Sequence, residues 1–278
     1  TTALSITLPA SNGYYMSLLV LDEEQYVLGV VYPDDSSEKS IKIAYSNRSL
    51  NSTDKFILST TKLIYILIRT LANPNDADDM KRAHLLQYGV EVSQSDIGEF
   101  VIPDWDLTSL ADVRSGVSSL QSYIEQGSEV NGYRGVIDPT YELIGTAVGW
   151  GGLPQEDAVY QAFYPDDDED DLVYYIYVEA NSVPIASDAF WSITVYNASN
   201  YLQYNDMGSY NLNSLTATPA DDGSYTIYFS SLDKKTDSMT NWIWTYPGWS
   251  YLVRFYEPDE EILNGTWTFP SLNLVSSK

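Results

Sequence analysis

The chain has 278 residues, 39 acidic against 14 basic side chains, a formal charge of −25, and a 44% share of hydrophobic residues. That is enough chain for one large or two smaller cores, while the charge repels phosphate backbones and anionic lipid heads and so argues against nucleic acid as a partner. With no Cys and a single His, His84, thiol nucleophiles, disulfides and imidazole- or thiolate-held metals drop out, and a bound cation would need oxygen ligands.

The sequence opens on Thr1 and runs into Ala3-Leu4-Ser5-Ile6-Thr7-Leu8 without a basic leader or apolar signal core, which reads as a mature chain or one whose leader was removed. The longest apolar run, Leu63 to Ile68, is broken by Arg69 and is far too short to span a bilayer, so no membrane insertion is expected. From Ala3 to Tyr45 the pattern is strand-like, and Asn12-Gly13 predicts a turn that folds the first strands into a meander. Sequons at Asn47 and Asn51, joined later by Asn197 and Asn264, are candidate glycosylation sites.

The apolar positions Leu63, Ile64, Leu67, Ile68 and Leu71 predict a helix capped by Thr60 or Thr61 and stopped at Asn73-Pro74. A second helix, from near Asn75 to Gly89, has Asp76, Asp78 and Asp79 in its first turn, which suits the helix dipole better than a metal site. His84 inside it reads as a surface or packing residue. A third helix, capped by Asp106 or Thr108, presents Leu110, Val113, Val117, Leu120 and Ile124 as one stripe expected to pack in the core. Residues 127–171 form a connector, with a short helical turn expected from Glu156 to Tyr164. Its acidic run offers Asp166, Asp168 and Asp170 as a weak Ca²⁺ site, since the run lacks the Gly and terminal Glu of an EF-hand loop. Beyond it, aromatic and β-branched runs separated by Gly, Asn, Asp and Pro predict a half-buried antiparallel sheet. The expected architecture is mainly β with an α-helical middle section: a β lobe over 1–58 continuing into helices to about 91, a helical section over 59–126, the connector, and a C-terminal β lobe over 172–278.

Within the last segment, Ala189-Phe190-Trp191-Ser192-Ile193-Thr194-Val195-Tyr196, the Asp222-Gly223-Ser224 turn, Asn241-Trp242, Val253-Arg254-Phe255-Tyr256-Glu257-Pro258 and Leu263-Asn264-Gly265-Thr266-Trp267 resemble the domain of unknown function 1214. The N-terminal part is similar to its usual companion, the domain of unknown function 1254. That similarity rests on Thr7-Leu8-Pro9, Tyr14-Tyr15-Met16-Ser17, and Ile57-Leu58-Ser59-Thr60-Thr61 leading to Arg69-Thr70-Leu71. The resemblance implies a β-sandwich or jelly-roll-like lobe at each end with helices between, and it brings no demonstrated reaction with it. Asn197 and Asn264 stand where the family tends to carry Asp, which favours an exported, glycosylated chain.

The motif residues Arg69, Asn241 and Arg254, with Trp191 and Trp242, are the ligand-binding candidates, if they converge on one pocket. The plainer expectation pairs Arg69 with a carboxylate at a helix end, has Asn241 cap or bridge strands, and sets Arg254 against acids on its neighbour. No catalytic set emerges: a Ser-His-Asp arrangement would have to use His84, and no Gly-x-Ser-x-Gly elbow is present. The expected function is therefore a secreted, extracellular, non-catalytic module that binds a glycan or protein or assembles with copies of itself. Ca²⁺ is the one cofactor considered. The alternative is a hydrolase acting on a carbohydrate or ester through paired carboxylates.

Overall fold

The computed structural model describes residues 3–45, 56–74, 76–124, 129–165, 172–187 and 189–275. Asn47, Asn51, Asp166, Asp168 and Asp170 lie outside them. The chain divides into two compact units, Thr1–Gln155 and Glu156–Lys278, and it is mainly β.

The N-terminal unit contains β1 (Leu4–Leu8), β2 (Met16–Asp22), β3 (Val27–Val31), β4 (Lys39–Tyr45), β5 (Phe56–Ser59), β6 (Ile64–Thr70), helix α1 (Ala77–Tyr88), β7 (Glu91–Gln94) and helices α2 (Leu107–Ser118) and α3 (Pro139–Val148). One sheet runs β5-β4-β1-β7 and the other β3-β2-β6. All pairs are antiparallel except β4 with β5. Alternation along β1 and β2 sends Ile6 and Leu8 from one sheet, and Met16, Leu18 and Val20 from the other, into a shared core. The expected meander is therefore not formed. Asn12 (φ 55°) and Gly13 (φ 80°) do turn the chain, as the left-handed region favours for these residues, but the turn carries it from one sheet to the other. A tight hairpin would have put both apolar faces on one sheet and left them nothing to pack against.

The helix expected over residues 60–73 is a strand instead. β6 pairs with β2 from Met16↔Thr70 to Asp22↔Ile64. Its run Ile-Tyr-Ile-Leu-Ile is apolar at every position, so helical and strand periods fit it equally, and β-branched content with an available partner strand decides. Thr61 caps no helix: its hydroxyl donates to the Leu63 carbonyl and accepts from Glu23 N–H. α1 does form, with the Asp76 carboxylate accepting from the amides of Asp78 and Asp79. α2 starts at Asp106 as expected, yet its stripe is not core: Leu110, Val113 and Leu120 are 52%, 61% and 44% exposed.

α3 was not anticipated in a segment rich in Gly. Asp138 caps it by accepting from Thr140 N–H at 2.7 Å, and Pro139 opens its first turn. The segment around α3 covers the outer face of the β3-β2-β6 sheet. Val27 N–H donates to the Gly132 carbonyl, Leu67 lies against Gly151, and Arg69 donates to the Gly151 carbonyl.

The C-terminal unit contains β8 (Ala158–Phe163), β9 (Val173–Val178), β10 (Trp191–Tyr196), β11 (Asn211–Asn213), β12 (Tyr225–Ser230), β13 (Asn241–Trp244), β14 (Ser250–Tyr256), the single turn α4 (Glu260–Leu263) and β15 (Asn273–Leu274). Residues expected to form a helical turn at 156–164 are thus the strand β8, paired to β14 from Tyr251↔Phe163 to Tyr256↔Ala158. The sheets run β13-β12-β9-β15 and β11-β10-β14-β8. Between them Ile176, Ile193, Ile227, Phe229, Ile243, Tyr251, Val253 and Phe255 are closed from solvent.

This unit repeats the first strand for strand. Sheet β5-β4-β1-β7 recurs as β13-β12-β9-β15, and β3-β2-β6 recurs within β11-β10-β14-β8, with every shared pair keeping its sense, including the one parallel pair. β8 alone has no counterpart among the described residues. The repeat extends to register: Ser17 faces Arg69 across β2 and β6, and Ser192 faces Arg254 across β10 and β14. The turns leaving β2 and β10 also match. Asp22 accepts from the amides of Glu24 and Tyr26, Asn197 accepts from those of Ser199 and Tyr201, and Gln25 and Asn200 take φ of 69° and 62°.

Candidate functional site

The repeat sets two arginines at one structural position with different surroundings. Strand alternation points both away from the core, onto the outer face of their own sheet. In the N-terminal unit the Gly-rich segment after α3 lies over that face, and the Gly151 carbonyl accepts from Arg69 Nη2; Nη1 is buried without a partner. The pairing is with a main-chain carbonyl and not with the carboxylate expected from sequence.

Arg254 is half-buried. Its Nη1 donates to Thr194 Oγ1 at 3.0 Å and its Nη2 to the Tyr196 hydroxyl at 2.7 Å. Both acceptors are neutral, so the expected facing acids are absent and Arg254 forms no ion pair among the described residues. A guanidinium has five N–H donors in a planar fork, and two are used here. Tyr160 lies opposite Arg254 on β8, and Tyr256 stacks on Phe190 at 4.2 Å, giving the same face an aromatic floor.

The other candidates do not join it. Trp191 points into the core, 3% exposed, edge-on to Tyr225 at 5.6 Å. Asn241 bridges segments, as the plainer expectation had it: its amide donates to the Thr218 and Thr226 carbonyls and its oxygen accepts from Thr218 N–H at 2.7 Å. The indole N–H of Trp242 donates to Ser230 Oγ at 2.9 Å while Lys235 lies over the ring. Within the C-terminal unit, therefore, Trp191, Asn241 and Trp242 serve the sandwich, and Arg254 is left on a separate face. Of the sequon residues, Asn264 is exposed, its oxygen accepting from the Thr266 hydroxyl at 2.7 Å, whereas Asn197 is half-buried and its amide donates to Gln203. His84 is exposed on α1, 6.3 Å from the Tyr88 ring.

A second cluster was not foreseen. Asp22 is wholly buried and receives Arg134 Nη2 at 2.6 Å; the same nitrogen reaches Glu24, and the guanidinium lies 4.0 Å over the Tyr26 ring. Nearby on α3, Glu142 is 2% exposed, accepts weakly from Thr146 Oγ1, and has Oε2 buried without a partner. Desolvation first, with the Asp22 charge adding to it, pushes the Glu142 carboxyl up to about 7. A paired Asp and a protonated Glu are the parts of acid–base chemistry, but both are closed to a substrate. No group of three or more His, Asp or Glu suited to a metal ion occurs among the described residues. None of their helices is long and apolar enough to cross a membrane.

Residues 157–260 match the family described as "Protein of unknown function (DUF1214)", which fits the resemblance read from the C-terminal motifs. No curated protein matches the chain. The VPA0106 protein from Vibrio parahaemolyticus is similar in structure, with a TM-score of 0.73 and 19% identity over 99% of this chain and 86% of its own. An uncharacterized protein from Burkholderia cenocepacia follows at 0.54 and 10% identity, over 99% of this chain and 73% of its own. At such identities the likeness is one of fold alone.

Proposed function

We propose that the protein is a non-catalytic extracellular binding module whose ligand-receiving surface is the Arg254 face of β10, β14 and β8. One observation carries this reading: Arg69 lies under the Gly151 segment with its unpaired Nη1 closed from solvent, whereas Arg254, at the matching position, is held by two neutral hydroxyls and has no unpaired nitrogen closed from solvent, so its remaining N–H donors stay within reach of a ligand. An oxygen-rich ligand with a stacking face suits it, and a glycan offers both, its hydroxyls to the guanidinium and its ring to Tyr160 or Tyr196. The N-terminal unit is read as the 1254-like companion of the 1214-like unit, and Asn264 as the sequon best placed to carry a sugar. A hydrolase is the second reading, favoured by the raised carboxyl of Glu142 beside Asp22 and opposed by their burial.

Screening a glycan panel by calorimetry tests the proposal. A hit that weakens about 10-fold or more in Arg254→Ala and only partly in Arg254→Lys supports it. Hits indifferent to both variants would remove the site, and a panel without hits would remove the glycan. Mass spectrometry of native material checks export, for which unmodified asparagines at all four sequons would be the contrary result.

A further inference from the structure

β14 and β6 are matching strands, but β14 lies between β10 and β8, whereas β6 pairs with β2 on one side and with no strand on the other among the described residues. The consequence appears in the core positions. Tyr251 and Val253 on β14 are 2% and 0% exposed, while the matching Ile66 and Ile68 on β6, like Ile64, are only half-buried although they pack on the same kind of inner face. Half-burial of isoleucines along one strand is what the lack of a β8-like neighbour would leave.

Nothing in the strand guards this edge. Natural edge strands avoid pairing by being short, by carrying Pro or a bulge, or by turning a charge inward. β6 is seven residues long, pairs with β2 without a register shift, contains no Pro, and turns its one charge, Arg69, to the outer face. The usual defence of this chain, its acidity, is also missing there. Residues 56–75 contain no Asp or Glu among the 39 of the sequence, and they include Lys62 and Arg69.

We propose that the outer edge of β6 pairs with β6 of a second copy of this chain, antiparallel about a two-fold axis beside Leu67, making a continuous sheet β3-β2-β6 and its mate. Three features select a copy as the occupant. β8 meets β14 antiparallel, and a two-fold axis makes that same arrangement from two identical strands. Centring on Leu67 sets Ile66 of one chain beside Ile68 of the other, so each supplies on the core side a cross-strand neighbour where β8 sets Phe163 beside Tyr251 and Gln161 beside Val253. Finally, a chain of charge −25 can approach its copy most readily where carboxylates are absent.

The test uses the full chain. Sedimentation should show a concentration-dependent dimer that tightens with added salt as distant carboxylates are screened. Amide exchange along β6 should slow as protein concentration rises. Since the chain has no Cys, Leu67→Cys places one thiol at the axis, where opposed Cα atoms about 5 Å apart permit a disulfide. Oxidation should yield covalent dimer from this variant and none from Tyr204→Cys, an exposed control in the other unit. Ile66→Lys, an inward charge of the kind that guards natural edges, should weaken association ~100-fold or more. A monomer at every concentration overturns the proposal. So does a dimer whose β6 amides stay unprotected and in which the thiols introduced by Leu67→Cys stay free, or a co-purified polypeptide found on β6 in place of the copy.

Discussion

From β14, Tyr251, Val253 and Phe255 close the C-terminal core, none above 2% exposed, and the rings of Phe229 and Trp249 pack with that of Tyr251, centroids 5.3–5.9 Å apart. The N-terminal unit has the same strand order without such a ring cluster among the described residues. It adds an outer layer around α3, fastened by polar contacts: Arg69 to Gly151, Arg134 to Asp22, and a buried Glu142. One topology thus carries two different additions to an apolar core between sheets, a cluster of aromatic rings in one unit and a hydrogen-bonded and ionic cover over one sheet in the other. These respond differently to volume, to charge and to pH. The largest separation should come from volume. Phe255→Ala removes a wholly buried ring and should cost about 3–5 kcal/mol, read as faster amide exchange in the C-terminal unit. The smaller matched pair, Val253→Ala against Ile68→Ala, should show the larger loss per methylene at Val253, because a half-buried site can refill with solvent.

Charge and pH should act on the other unit. The Glu142 carboxyl is raised from 4.5 to about 7, so the folded state keeps a proton that the unfolded chain has released. Stability therefore falls as pH rises from about 4.5 towards 7 and levels above that. Glu142→Gln should flatten this dependence, by on the order of 3 kcal/mol between the plateaus. Exchange read unit by unit should place the effect in residues 3–155. An unchanged slope would mean that Glu142 is ionised and solvated in the native state.

Asp22→Asn gives the N-terminal turn the residue its counterpart has at Asn197. The side-chain oxygen can still accept from the amides of Glu24 and Tyr26, so the turn should survive. What is lost is the negative charge that pairs with Arg134, whose 43% exposed side chain limits the cost to about 1–2 kcal/mol. With the Asp22 charge gone, the Glu142 carboxyl should also titrate lower, visible as a shift of the pH midpoint. A turn that unravels in this variant would break the equivalence of the two units at this point.

How much of this was readable beforehand depended on whether the deciding interaction was local. The start of α1 among its acidic residues, the cap of α2 at Asp106 and the Asn12-Gly13 turn are short-range chemistry and legible in the sequence, although Asp76, expected inside the first turn of α1, is its cap. The helix expected over residues 60–73 gives way to β6 because the apolar residues of β6 fall on both parities, so no period distinguishes strand from helix until β2 is beside it. α3 was missed behind its glycines, although Asp138-Pro139 was a usable start signal. Arg69 and Arg254 were both singled out, but their equivalence lies in the pairing Ser17↔Arg69 and Ser192↔Arg254. The one trace in the letters is Tyr15-Met16-Ser17-Leu18 beside Phe190-Trp191-Ser192-Ile193. The Asp22 and Glu142 cluster joins residues 120 positions apart and left no local trace.

The smallest effect concerns two caps of the same kind. Asp106 and Asp138 each accept from two first-turn amides, and removing such a cap costs about 1 kcal/mol of helix stability. α3 is held besides by Ile144 and by Gly145, which packs too closely on Val130 to admit a Cβ, whereas α2 has no buried residue. Tertiary packing can absorb the loss in α3 and has little to offer α2. Asp106→Ala should therefore accelerate exchange through most of α2, while Asp138→Ala should fray only the first turn of α3. Equal fraying would mean that the apolar stripe of α2 is covered in solution and anchors the helix as firmly as the core anchors α3.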